Sequence, residues 1–234
     1  CGGETVRMSD AIGGIELMKL PGEWCEWSPD ESRILTYGND GITRIFNSVT
    51  GKELLQLDGV DWARWSNDGR KILTEDIAHS VRVLDSDTGK VIFKLDGMTK
   101  PTLSDDGNKL LASRIDTKNH VESGIHIWNV NSGKEIFALP YYGKMNQEGN
   151  KLLTVNPESN TAQIIDIETG QELFNLRDVH NASWVDLNDS KALIERTNRV
   201  PEIWDPFAGK KLFTLDRENL DTGKNSNFTD AIWN

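Results

Sequence analysis

Residues that could catalyse a reaction or hold a metal are few and scattered along this chain. His79, His120, His126 and His180 share no ligand spacing with one another or with Cys1 and Cys25, whereas a tetrahedral zinc site needs Cys or His pairs at short, regular intervals. A nucleophile elbow, a phosphate-binding loop and a paired-carboxylate motif are all missing, and the Gly-Lys dipeptides lack the upstream glycine of a P-loop. The expectation is therefore a non-enzyme with no catalytic residue, no metal and no cofactor. Recognition chemistry is better served. Trp24, Trp62, Lys100 and Tyr142 recur at matching places, with Tyr141 beside the last, and Arg64 and Lys144 stand two residues after Trp62 and Tyr142. Aromatic and arginine side chains anchor protein interfaces because they bury much area at low entropic cost. The competing reading is that these rings only cover loop backbone.

What must position those residues is a repeat. A glycine, usually followed by lysine, precedes a short apolar run at Gly13, Gly51, Gly89, Gly133, Gly170 and Gly209, at intervals of 38, 38, 44, 37 and 39 residues. A period near 40 with turn residues at fixed offsets is the signature of stacked supersecondary units. Inside each interval lies a turn-rich cluster: Ser28-Pro29-Asp30-Glu31, Ser66-Asn67-Asp68-Gly69, Ser104-Asp105-Asp106-Gly107, Asn146-Gln147-Glu148-Gly149 and Leu187-Asn188-Asp189-Ser190. Asn, Asp and Gly tolerate the backbone of tight hairpins, and Pro29 presets its own φ.

Each cluster is followed by a short apolar run, as in Arg33-Ile34-Leu35-Thr36 and Lys71-Ile72-Leu73-Thr74. An alternating run comes next, as in Val81-Arg82-Val83-Leu84 and Ile125-His126-Ile127-Trp128. Runs of four to six residues, β-branched and bracketed by turns, are strands rather than helices. The segment after the Gly-Lys turn supplies a third strand, and the one before the Asp-rich turn a fourth. Four strands in about 39 residues make one propeller blade. The sequence thus predicts an all-β protein, a β-propeller of four-stranded antiparallel blades with five complete blades and an incomplete sixth. As a single domain over 1–234 it opens with two strands in 5–20. Blades follow at about 24–57, 62–95, 99–139, 142–176 and 181–215, with a final strand at 229–233.

These units resemble WD-repeat propellers. Trp204-Asp205 and Trp128-Asn129 match the family's Trp-Asp dipeptide, and Ser28-Pro29-Asp30, Asn67-Asp68-Gly69 and Thr88-Gly89-Lys90 match its turns. The resemblance covers essentially the whole chain and implies a protein interaction scaffold. It has departures: Gly22, Gly59 and Gly97 are followed by Glu23, Val60 and Met98 where the family has histidine, and Phe46, Leu84 and Ile165 replace tryptophans. Blades without that histidine are expected to cohere by apolar packing, as in a divergent, bacterial-type branch.

Sheet faces in such a fold are covered by neighbouring blades, so recognition falls to the loops at either end. Glu26, Arg64, Thr102, Lys144, Ser183 and Ile232 are expected around the central channel, and with one carboxylate among them no acid ring for a metal can form. Two loops break the repeat length, 114–122 with Lys118 and His120, and 217–228. The net charge of −11 disfavours a phosphate-tracking surface, and no stretch approaches the length of a membrane span. The expected partner is a protein or peptide, with no nucleic acid. The alternative is a small-ligand or sensing propeller forming the regulatory part of a larger signalling or NTPase protein. The chain reads as a fragment of a cytoplasmic protein, or else as a lipoprotein processed at Cys1.

Overall fold

The computed structural model describes residues 5–116, 121–185 and 190–215. Among the described residues every regular element is a strand, and no helix is long and apolar enough to cross a membrane. The expected strand at 229–233, the insertion 217–228, and Lys118 and His120 lie outside the described residues.

β1 (Thr5–Ser9) and β2 (Glu16–Pro21) form a two-stranded sheet. Five four-stranded sheets follow, each a meander in chain order. The first contains β3 (Trp24–Trp27), β4 (Arg33–Tyr37), β5 (Ile42–Asn47) and β6 (Glu53–Asp58), and the second β7 (Trp62–Trp65), β8 (Lys71–Glu75), β9 (Ser80–Asp85) and β10 (Val91–Asp96). The third contains β11 (Met98–Leu103), β12 (Lys109–Asp116), β13 (Val121–Asn129) and β14 (Glu135–Leu139). The fourth has β15 (Gly143–Met145), β16 (Lys151–Asn156), β17 (Thr161–Asp166) and β18 (Glu172–Arg177). The fifth has β19 (Asn181–Trp184), β20 (Ala192–Glu195), β21 (Glu202–Asp205) and β22 (Lys210–Thr214). The protein is all-β, built from antiparallel blades of the propeller type.

Two compact units divide the chain. One holds Cys1–Glu122 with Trp128–Lys134, the other Ser123–Ile127 with Glu135–Asn234. In the first unit, Val6 and Leu20 pack on Ile34 and Phe46. Leu35, Ile45 and Leu57 of the first blade meet Ala63, Trp65 and Ile72 of the second, and Leu73, Val81 and Val83 meet Met98, Leu110 and Trp128. In the second unit, Leu153, Ile164 and Phe174 meet Val179, Ala192 and Ile194. Second strands such as β4 and β8 are covered on both faces, with the burial concentrated in their three central residues, which is why they read as unbroken apolar runs. Outer strands such as β6 bury little.

The Asp-rich clusters are the turns between first and second strands. Ser66 Oγ donates to Asp68 Oδ1 at 2.7 Å and accepts from the Lys71 amide at 2.9 Å. Ser28 and Ser104 repeat this arrangement. Asn146 takes the serine's place with its Oδ1, accepting from the Asn150 and Lys151 amides at 3.0 and 2.8 Å. These side chains occupy the backbone donors that a tight turn leaves open.

Apolar packing is joined by polar ties between blades. Arg33 Nη1 donates to the Ser86 carbonyl at 3.1 Å and to Asp87 at 2.8 Å, and Nη2 donates to the Gly69 carbonyl at 3.1 Å. At the matching position Lys71 Nζ donates to Asn108 Oδ1 at 3.1 Å. In the first two blades the basic residue that opens the second strand therefore clasps the following blade.

Two expectations are corrected. The repeat glycine of the first copy is Gly14, not Gly13. Gly14 has a φ of 65° like the 67° of Gly51, and Met18 faces Met8 as Leu55 faces Ile45. The first interval is thus one residue shorter. In the segment 114–122, expected as a long loop, the described residues are strand: β12 continues to Asp116 and β13 begins at Val121. The Ile115 amide bonds the Gly97 carbonyl at 3.0 Å, and Gly124, at a φ of 61°, lets β13 pass where a Cβ would strike the Leu139 carbonyl.

Candidate functional site

At one end of the first unit the loops leading into first strands meet the loops joining second to third strands. The Glu23 amide bonds the Tyr37 carbonyl at 2.9 Å, Val60 that of Gly41 at 3.0 Å, and Met98 that of His79 at 3.0 Å. These repeated bonds fix the loop backbones, so side chains on them are presented at little further entropic cost.

Trp24 opens β3 opposite Tyr37, the last residue of β4. The two rings stack with centroids 5.7 Å apart and planes 18° apart. Trp24 remains 47% exposed, while Tyr37 packs against the core between the first two blades. A half-exposed indole braced on an anchored phenol is a rigid apolar platform. Glu26, two residues on, is half-buried; burial raises its carboxyl pKa and Arg64 pulls it down again. Burial likewise raises the Tyr37 hydroxyl, with Glu26 adding to the effect and Arg64 opposing it. Arg64 is exposed and lays its guanidinium 5.6 Å from the centroid of Trp62, a cation–π contact that holds the cation ready without consuming its donors.

The structure thus groups Trp24, Tyr37, Glu26 and Arg64, with Trp62 under the arginine. Trp62 itself is partly buried against the core between the second and third blades, so its ring serves packing as well as presentation. Lys100 departs from the expected equivalence. It has a φ of 53°, and the β11–β12 register jumps from Thr99 opposite Ser113 to Thr102 opposite Leu111. Pro101 supplies no amide to the ladder, so the strand bulges there and Thr99 takes the place that Trp24 and Trp62 hold. Tyr141, Tyr142 and Lys144 belong to the second unit. There Tyr142 is exposed and its carbonyl accepts from the Thr154 hydroxyl; Lys144 is exposed and its carbonyl accepts from Trp184 Nε1 at 3.1 Å.

The inner-strand series is in register throughout: Glu26, Arg64, Thr102, Lys144 and Ser183 face Leu35, Leu73, Leu111, Leu153 and Leu193 in turn. Tyr37 went unseen in the sequence; its signal was the pairing of a second strand's last residue with a first strand's opening residue. Among the described residues no group of three or more His, Cys, Asp or Glu side chains is placed to hold a metal ion. Comparison of the chain with protein-family models and with curated proteins finds no match.

Proposed function

We propose that this chain is a WD-repeat-like, non-enzymatic protein-interaction scaffold whose partner meets the end of the first unit that carries Trp24, Tyr37, Trp62 and Arg64. The supporting observation is the exposed Trp24 ring held on Tyr37. Covering the open half of an indole, on the order of 100 Å², contributes about 2.5 kcal/mol at ~25 cal/mol per Å², or roughly 70-fold in Kd. Arg64 beside it offers the forked donors that carboxylates and backbone carbonyls accept. Strand ends fixed by repeated loop bonds supply the rigidity a hot spot needs. The WD-repeat part of the reading is supported by the Trp-Asp and Thr-Gly-Lys matches at Trp204-Asp205 and Thr88-Gly89-Lys90.

The test is affinity capture followed by titration calorimetry with the captured protein, using Trp24→Ala combined with Arg64→Ala. Both side chains are solvent-facing, so the variant keeps the wild-type melting temperature within a few degrees and loses at least about tenfold in affinity. A folded variant that binds its partner with unchanged affinity overturns this placement.

A further inference from the structure

At the opposite end of the first unit a groove of about 460 Å³ runs between the first and second blades, within the range of pockets that take small ligands or a few side chains. Ile45, Leu54 and Leu55 line one part of it, and Asp30, Arg33 and Asp87 the other. Leu54 is 49% exposed. The groove coincides with a departure from the repeat. Where the first blade has Leu55, the second has Phe93, whose ring lies 3.6 Å from the place a Cβ would take on Gly133 of the next turn. In the second unit Phe137 stands in the same relation to Gly170 at 3.9 Å. Leucine is shorter than phenylalanine, and the following turn settles onto it: a Cβ on Gly89 would lie 2.9 Å from Leu55 Cδ1. The groove lies beside this contact, with Leu54 at its surface.

The charges at the mouth decide what that space suits. Arg33 is already engaged by the Ser86 and Gly69 carbonyls and by the face of Trp65 at 4.9 Å, besides its bond to Asp87. Asp87 is 81% exposed, so water competes for it. Asp30 is solvent-facing and is kept ionised by the Ser28 and Ser32 hydroxyls. Two carboxylates against one committed guanidinium leave the mouth acidic, on a chain whose net charge is −11.

We propose that this groove docks a short segment of a protein partner in which an apolar side chain neighbours a lysine or arginine. The apolar chain covers Leu54 and Leu55 above the buried Ile45, and the cation sits between Asp30 and Asp87. An acidic neighbour would meet like charge and be rejected. This site stands apart from the aromatic end and does not depend on it.

Methyl-labelled chain is titrated with two capped peptides, Gly-Lys-Leu-Lys-Gly and Gly-Glu-Leu-Glu-Gly, while the Ile45, Leu54 and Leu55 methyl resonances are followed. The lysine peptide is expected to shift these methyls saturably at millimolar concentration, and the glutamate peptide to bind at least about tenfold more weakly. Leu55→Phe, which installs the repeat's own residue, is expected to abolish the shift at Leu54. Should that variant fail to fold beneath Gly89, Leu54→Lys at a half-exposed position is the second test, read at the Leu55 methyls, whose shift it is expected to abolish. The proposal is overturned if neither peptide moves these methyls, if both move them equally, or if the lysine peptide still binds a folded variant.

Discussion

Trp27 and Trp65 hold the same place in consecutive copies of the repeat. Each closes a first strand, and each pairs with the second residue of the next, Ile34 in one case and Ile72 in the other. Their surroundings differ completely. Trp65 is 4% exposed, donates its indole N–H to the Glu26 carbonyl at 3.3 Å and lies under Arg33 at 4.9 Å. Trp27 is 47% exposed. The indole of Trp65 reaches back onto the first strand of the preceding blade, whereas among the described residues the sheet before Trp27 contains β1 and β2 and no first strand of that kind. In the second unit Trp184, half-buried, makes the same bond, donating to the Lys144 carbonyl at the position matching Glu26. A residue's burial in this fold is thus conferred by its neighbour, and stability accumulates blade against blade.

The largest expected effect comes from breaking that pair. Trp65→Ala leaves a cavity between the first two blades and should cost about 3–5 kcal/mol in urea unfolding. Trp27→Ala removes a ring that water already touches, and should change stability by no more than about 1 kcal/mol. Equal losses at the two positions would show that Trp27 has a burying partner after all and would dissolve the contrast.

This contrast marks the boundary of what the sequence could reveal. Strand positions were legible because the turn chemistry is local: Ser28, Ser66 and Ser104 each cap their own hairpin, and the marker glycines at 51, 89, 133 and 170 all adopt positive φ. Whatever depends on the adjacent blade was not legible. Nothing in the tetrapeptides around Trp27 and Trp65 tells one from the other. Tyr37 becomes part of the candidate site through strand pairing, and Lys100 leaves it through a bulge that begins at Pro101. The extra residues at 114–122 look like a loop in an alignment because length alone cannot separate a longer turn from a longer hairpin.

Arginine and lysine at the start of second strands sharpen the comparison between neighbouring blades. Arg33 spans two carbonyls, Asp87 and the Trp65 ring, with its side chain 18% exposed. Lys151, its counterpart in the second unit, places Nζ 5.4 Å from the centroid of Phe207 and donates to Asn150 Oδ1 at 3.1 Å. Phe207 stacks in turn on Trp184 at 6.3 Å. A guanidinium with several fixed acceptors loses more on deletion than an ammonium over one exposed ring. Arg33→Ala should cost about 2 kcal/mol and Lys151→Ala about 0.5–1 kcal/mol, read from the same unfolding curves. Arg33→Lys should recover less than half of the loss, since a single ammonium cannot reach both carbonyls and the carboxylate. Full recovery would reduce the clasp to a point charge.

The smallest effect concerns the carboxylate beside that clasp. The Ser28 hydroxyl, then the Ser32 hydroxyl and amide, lower the Asp30 carboxyl from 3.8 to about 2. A carboxyl whose pKa is lower in the folded state favours folding wherever it is ionised, so the contribution is complete above about pH 4 and is lost as the pH falls toward about 2. Asp106 is shifted in the same direction: burial opposes the change, but the Ser104 hydroxyl and the Asn108 amides outweigh it. Asp30→Asn keeps the turn's shape while removing one titrating group. Its urea midpoint should therefore fall less steeply than wild type between about pH 4 and about pH 2, and the two curves should run parallel near neutrality. Parallel curves across the acid window as well would mean that Asp30 keeps the same proton affinity folded and unfolded, and that the Ser28 turn holds its shape without help from the charge.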